Sequence, residues 1–211
     1  MSTRRAIAYG LIPLALAVAA ISKNVREWSS HWGASNGEIH GVLPGDGIVP
    51  EPALQTTHAV AINAPASGVW PWLVQMGPGR AGAYTYDWVE NLFGLNMHSA
   101  DRIVPEWQHM EVGDAFPLGS NGPALTVAEI EPERALVLAF PDGTWSWSFT
   151  LEPQDGARTR LITRNRAPAN KLRSRLQWEL LSPGAFLMER KMLLGIKERA
   201  ERGSRPNDTQ R

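Results

Sequence analysis

The run TWSWSFTLE, residues 144–152, alternates without a break: Trp145, Trp147, Phe149 and Leu151 fall on one side of an extended chain, and Thr144, Ser146, Ser148 and Thr150 on the other. A period of two is the signature of a β-strand with one face against apolar material. Four large apolar side chains in one row need a cover, and the fold turns on where the chain supplies it. The row of small hydroxyls asks for less, either solvent or the edge of a neighbour.

Similar short runs flank this one. Strands are expected over 102–104, 115–118, 125–131 and 135–140 before it and over 159–166 after it, with turn signals at 119–123, 131–134, 141–143 and 153–156. Such close spacing predicts an antiparallel meander. A first strand is expected over 56–63, where Ala59, Ala61 and Asn63 alternate with His58, Val60 and Ile62. The cover lies at 170–202. Leu172, Leu176, Trp178 and Leu180 mark one helical piece, and Phe186, Leu187, Leu193, Leu194 and Ile196 a second, with Ser182, Pro183 and Gly184 as an interruption and Gly203 as the stop.

Between the first strand and the meander lies QMGPGRAGAYTYDWVENLFGLNMHSADRIVPEW, residues 75–107, which is dense in glycine, aromatic and ionisable side chains. A helix is expected to start near Asn63 and Pro65 and to run to about Met76, with Val69, Leu73 and Met76 on one face and Pro71 limiting its length. Gly77 to Gly82 then spells G-x-G-x-x-G. A dinucleotide fingerprint needs a strand before it and a helix opening within it; here a helical pattern precedes it and Pro78 stiffens it, so the glycines read as a helix-terminating loop. A second short helix is expected over 85–93, capped by Thr85 and stopped by Gly94.

The chain has 211 residues, 43% of them hydrophobic, which suffices for one domain with a full core. With no cysteine, disulfides, thiolate metal sites and cysteine nucleophiles are excluded. The zero net charge hides an asymmetry: residues 28–157 hold 15 acidic against 3 basic side chains, and residues 158–205 hold 13 basic against 4 acidic. Without a nucleic-acid motif, the basic end reads as complementing the acidic body, and no nucleic-acid partner is expected.

Residues 1–27 form a hydrophobic segment whose core, 6–21, is free of charge and follows Arg4 and Arg5. It reads as an uncleaved membrane anchor, with association through residues 6–22, or as a cleaved signal peptide; the side of the membrane stays open because the flanking charges are balanced. Trp28 and Trp32 stand where an interfacial aromatic belt would lie. Residues 28–55 read as a linker rich in glycine and proline, 56–202 as the folded domain, and 203–211 as a disordered tail.

The order of strand, two short helices, antiparallel strands and long terminal helix, together with INAPASGVWPWLVQMG, YDWVENLFGLNMHSADRIVPEWQ and the closing MERKMLLGIKERAE, resembles the START-like superfamily, also called SRPBCC. That superfamily includes polyketide cyclases or dehydratases and lipid-transfer proteins. The resemblance covers roughly residues 56–202 and implies an α+β helix-grip fold: a curved antiparallel sheet wrapped around a long C-terminal helix, enclosing a cavity for an apolar or aromatic small molecule. It carries no universal catalytic motif to transfer.

Candidate ligand-binding residues are Trp70, Tyr84, Tyr86, Trp88, His98, Arg102, Trp145 and Trp147. The tyrosines join apolar area to a hydroxyl, the tryptophans supply apolar walls, and Arg102 could receive a carboxylate, phosphate or phenolate. For each, core packing or a local ion pair is the plainer role. His98 and Asp101, three apart, are the weak catalytic candidates, as an imidazole oriented by a carboxylate. Serine hydrolase chemistry is not expected without a G-x-S-x-G elbow, and neither a metal site nor a cofactor is expected, since His98 and Asp101 lack a third ligand at fixed spacing and no H-E-x-x-H or P-loop occurs. Three functions fit: non-catalytic binding and transfer of a hydrophobic small molecule or lipid, a cyclase or dehydratase acting on an aromatic or polyketide substrate, and a structural or interaction module.

Overall fold

A computed structural model describes residues 23–92, 94–118, 123–168 and 172–204, with the side chains of 172–181 left aside. The apolar run 6–21, the turn over 119–122, the tail beyond Ser204 and the first set of terminal-helix leucines therefore lie outside the described residues or side chains. Among the described residues, no helix is long and apolar enough to cross a membrane.

Six antiparallel strands form one open, curved sheet: β1 (Leu54–Ile62), β2 (Ala115–Pro117), β3 (Ala124–Glu131), β4 (Ala135–Ala139), β5 (Ser146–Gln154) and β6 (Arg158–Ala167), in the order β1-β6-β5-β4-β3-β2. The last five make the expected meander, and β1 completes the sheet by pairing along all nine of its residues with β6. A register shift between Val127 and Glu129 interrupts the β3–β4 ladder, the kind of irregularity that bends a strand. Among the described residues five α-helices accompany the sheet: α1, described over residues 23–30, α2 (Asn36–His40), α3 (Ala66–Val74), α4 (Asp87–Leu92) and α5 (Leu172–Gly203). α5 packs along the inner face, where Met192, Leu193, Ile196 and Ala200 join Val60, Ile62, Phe149, Leu151 and Leu161 in the main core. This is the helix-grip arrangement.

Three local expectations are corrected. Residues 102–104 are not a strand: the Val104 N–H donates to Gln75 Oε1 (3.0 Å), and the Arg102 carbonyl accepts from Gln75 Nε2 (3.2 Å), so one buried glutamine takes the place of a ladder partner. The terminal helix is continuous through Pro183, since that residue lacks a single backbone N–H and forfeits only one helix bond. The third concerns residues 33–53, which are a strap over the outer face of the sheet and no free spacer.

Arg164, on the outward row of β6, is 2% exposed and places all five of its N–H donors. They reach Thr57 Oγ1 (3.1 Å), the Gly41 carbonyl (2.9 Å), Asp46 Oδ2 (2.6 Å), the Ile39 carbonyl (3.1 Å) and the Glu38 carbonyl. Arg160 adds a bidentate pair with Glu38 at 2.6 and 2.9 Å. A small second core of Leu43, Ala59 and Ile162 fills in beside these charges. The row Ser146, Ser148 and Thr150, expected to face solvent or a neighbour's edge, is thereby buried.

Candidate functional site

Between the inner face of the sheet, α1, the α4 region and α5 lies a cavity of about 340 Å³. Its apolar wall comes from Trp145 and Trp147, stacked at 6.1 Å with ring planes 10° apart, and from Phe186, Met188 and Met192 of α5. Strand parity aims the tryptophans inward from the TWSWSFTLE row, and helical spacing does the same for Ala185, Phe186, Glu189 and Met192. Phe186 also meets Trp28 and Trp32 edge-on at 5.3 and 6.4 Å, so the segment before the strap closes one side of the cavity.

One end of the cavity carries a polar network. Glu189 accepts from His58 Nδ1 (3.1 Å), Thr163 Oγ1 (3.0 Å), Asn165 Nδ2 (3.0 Å) and, at longer range, Trp147 Nε1 (3.3 Å). Trp147 Nε1 donates more closely to Thr163 Oγ1 (3.0 Å), and Trp145 Nε1 donates to Asn165 Oδ1 (3.1 Å). His58 Nε2 faces the Ser29 carbonyl at 2.7 Å. Both imidazole nitrogens therefore meet acceptors, which calls for a proton on each and makes His58 an imidazolium. Burial alone would lower its pKa, but the Glu189 hydrogen bond and charge and the Ser29 carbonyl outweigh burial and raise it above the ordinary 6.5.

The opposite end is less satisfied. Thr85, two residues before α4, and Glu90, on the buried side of that helix, line the cavity. Thr85 Oγ1 and Glu90 Oε2 are buried and reach hydrogen-bond geometry with no protein partner, although Thr85 stands near enough to Glu90 to act on its carboxyl. Burial raises the Glu90 pKa from its usual 4.5, opposed by Thr85 and reinforced by the nearby charge of Asp87. The loop that presents Ala83 and Thr85 is strained: Tyr84 has φ +58°, a region a bulky side chain rarely occupies. Gly195 of α5 permits this approach, because a Cβ there would stand 2.5 Å from the Tyr84 carbonyl oxygen. The hydroxyl of Tyr84 donates to the Trp72 carbonyl (2.9 Å), and burial pushes its pKa up.

The sequence candidates thus separate. Trp145 and Trp147 line the cavity. Tyr84 and Trp70 sit in or against the main core. Tyr86, just before α4, and Trp88, on it, are 42% and 69% exposed, and Arg102 is exposed. His98 is exposed and meets Asn96 Oδ1 at 3.3 Å, while Asp101 pairs with Arg199 at 2.9 Å, so these two do not form the orienting pair. None of these last five lines the cavity. No local pattern in the sequence points to Glu90 or Glu189, whereas His58, Thr163 and Asn165 are polar residues on inward strand parity, a legible signal. Gly77 and Gly82 bond to each other, N–H to carbonyl, at 2.9 and 3.1 Å, closing the glycine loop that follows α3.

Neither known family profiles nor characterised proteins match the chain by sequence. Solved structures similar to it include a polyketide cyclase-like protein from Corynebacterium glutamicum, with 15% identity, TM-score 0.45, and 74% of this chain and 97% of that one covered. A self-sacrificing resistance protein from Micromonospora echinospora gives 10% identity, TM-score 0.47, and coverage of 71% and 95%. An AHSA1-like protein from Aeromonas hydrophila gives 15% identity, TM-score 0.38, and coverage of 71% and 94%.

Proposed function

We propose that this protein binds a hydrophobic small molecule in the cavity between sheet and terminal helix, without catalysing a reaction. The observation that supports this most directly is the cavity's lining, in which stacked tryptophans, a phenylalanine and two methionines enclose a few polar groups. Ligand sites of this kind are mostly apolar, with a small number of convergent polar atoms that set orientation. A volume of about 340 Å³ is at the low end of the ~300–1,000 Å³ range of such sites, which favours a compact aromatic or short-chain molecule over a complete two-chain lipid. A cyclase or dehydratase reading would need a free acid or base. The dyad of His58 and Glu189 offers neither, because its nitrogens and oxygens are already committed to hydrogen bonds, and among the described lining residues only the Glu90 carboxyl is left for such a role, with no second acid or base free beside it.

Titration of the full chain with the uncharged apolar fluorophore Nile red tests this reading. Saturable uptake of about one dye per chain is expected, with tryptophan emission quenched in parallel as Trp145 and Trp147 meet the dye. Uptake that stays linear and never saturates would overturn it.

A further inference from the structure

The two ends of the cavity differ in a way that specifies ligand chemistry. At the sheet end the polar groups are matched: Glu189 has four donors within 3.3 Å, His58 has an acceptor at each nitrogen, and Asn165 both donates and accepts. At the α4 end Glu90, 7% exposed, leaves Oε2 without a partner, and Thr85 Oγ1 beside it is unpartnered as well. A buried carboxyl oxygen without a donor costs free energy that a bound group can recover. Among the described residues the ionisable groups lining the cavity are His58, Glu90 and Glu189, so with Glu90 ionised these three carry two carboxylates against one imidazolium, one negative charge in excess. The lining also includes the rings of Trp145, Trp147 and Phe186, and aromatic faces attract cations through the ring quadrupole.

We infer that the preferred ligand is an apolar amine, its ammonium seated on Glu90 Oε2 and Thr85 Oγ1 and its hydrocarbon or aryl portion against Trp145, Trp147 and Phe186. This rests on the proposed binding function and names its substrate class. An ammonium has three donors and no acceptor, so it supplies what both unpartnered oxygens can receive and keeps a third N–H for a ring face. A ligand carboxylate would add a third negative charge to the lining and is disfavoured. An alcohol can satisfy the same oxygens but leaves the excess charge uncompensated.

Three probes with one skeleton separate these cases: 4-phenylbutylamine, 4-phenylbutanol and 4-phenylbutyrate, titrated at neutral pH by calorimetry against the full chain and against Glu90→Gln and Thr85→Val. The amine is expected to bind at least tenfold more tightly than the alcohol, and the carboxylate more weakly than either. In Glu90→Gln the ratio of amine to alcohol affinity should fall from about ten to about one. In Thr85→Val the amine should lose a few-fold while still exceeding the alcohol. Glu90→Gln removes a buried unpaired charge and should melt no lower than the wild type, so loss of the preference will not reflect unfolding; Thr85→Val provides a second reading should that expectation fail. Equal binding of amine and alcohol to the wild type, or a preference that survives Glu90→Gln, overturns the amine assignment and leaves hydrophobic binding intact. Failure of all three probes to bind overturns the binding function itself.

Discussion

Glu189 shows how much one side chain can set in this fold. It sits on a helix whose neighbouring turns present Phe186, Met192 and Leu193 to the interior, and its carboxylate draws together His58 of β1, Thr163 and Asn165 of β6 and Trp147 of β5. Its pair with His58 has side chains 12% and 2% exposed. Removing the charge from one member of such a pair strands the other. Glu189→Gln keeps shape and some hydrogen bonding, yet should destabilise the chain by about 3–5 kcal/mol, a fall in melting temperature on the order of 10 °C. The pH profile distinguishes this from a packing effect. Because the folded pKa of His58 is raised, the pair's contribution is complete below the unfolded value of 6.5 and is lost as pH rises through the folded value. Glu90, also raised, acts in the same sense from its lower starting point, and comparison with the variant isolates the His58 part. Melting curves from pH 5.5 to 9 should show wild-type stability declining above about 6.5 and a flatter profile in Glu189→Gln; parallel profiles would reject the imidazolium. From sequence alone His58 was visible as a polar residue on an inward row, but its partner lies 131 positions away, and no local pattern links them.

At the scale of elements, the sheet and its helical cover were legible because period-two and helical patterns are local and repeated. The TWSWSFTLE run carries its inward face into the structure unchanged, whereas its hydroxyl row is buried by a strap that reads, residue by residue, as a linker. Glycine and proline signal irregular backbone and say nothing of whether that backbone is covered. What folds the strap down is long-range charge, Arg160 and Arg164 of β6 meeting Glu38 and Asp46. The buried arginines also explain part of the charge asymmetry: the basic end supplies counter-ions to the acidic body. Close approach finishes the arrangement at Gly45, where φ is +82° and a Cβ would lie 2.4 Å from Val137 Cγ1. Gly45→Ala combines a left-handed backbone penalty with overpacking and should cost about 2–3 kcal/mol. Gly47→Ala, two residues on, has nothing within 4 Å and should change stability by no more than about 0.5 kcal/mol. Urea denaturation of the pair checks this; equal midpoints would mean that the strap does not hold its register on the sheet.

For the whole molecule, the same cavity that admits a ligand withholds packing from the core. An apolar void forfeits dispersion contacts along its lining, so a side chain that fills it should strengthen the fold while removing the binding site. Ala185 faces the cavity from α5, one turn before Glu189 and beside Phe186. A phenylalanine there extends into open volume, unlike an enlargement in the close-packed layer of Leu193 and Ile196, where extra atoms would force the helix off the sheet. Ala185→Phe is expected to raise the melting temperature of the ligand-free chain by a few degrees and to weaken Nile red uptake by at least tenfold. The wild type should also gain about 2.7 kcal/mol from an apolar ligand at a hundred times its dissociation constant, and the variant almost none. Thermal melts with and without ligand separate the outcomes. A variant that is less stable and still binds would place the ligand elsewhere, whereas one that is more stable and blind to ligand would tie binding and the incomplete core to a single volume beneath the tryptophan pair.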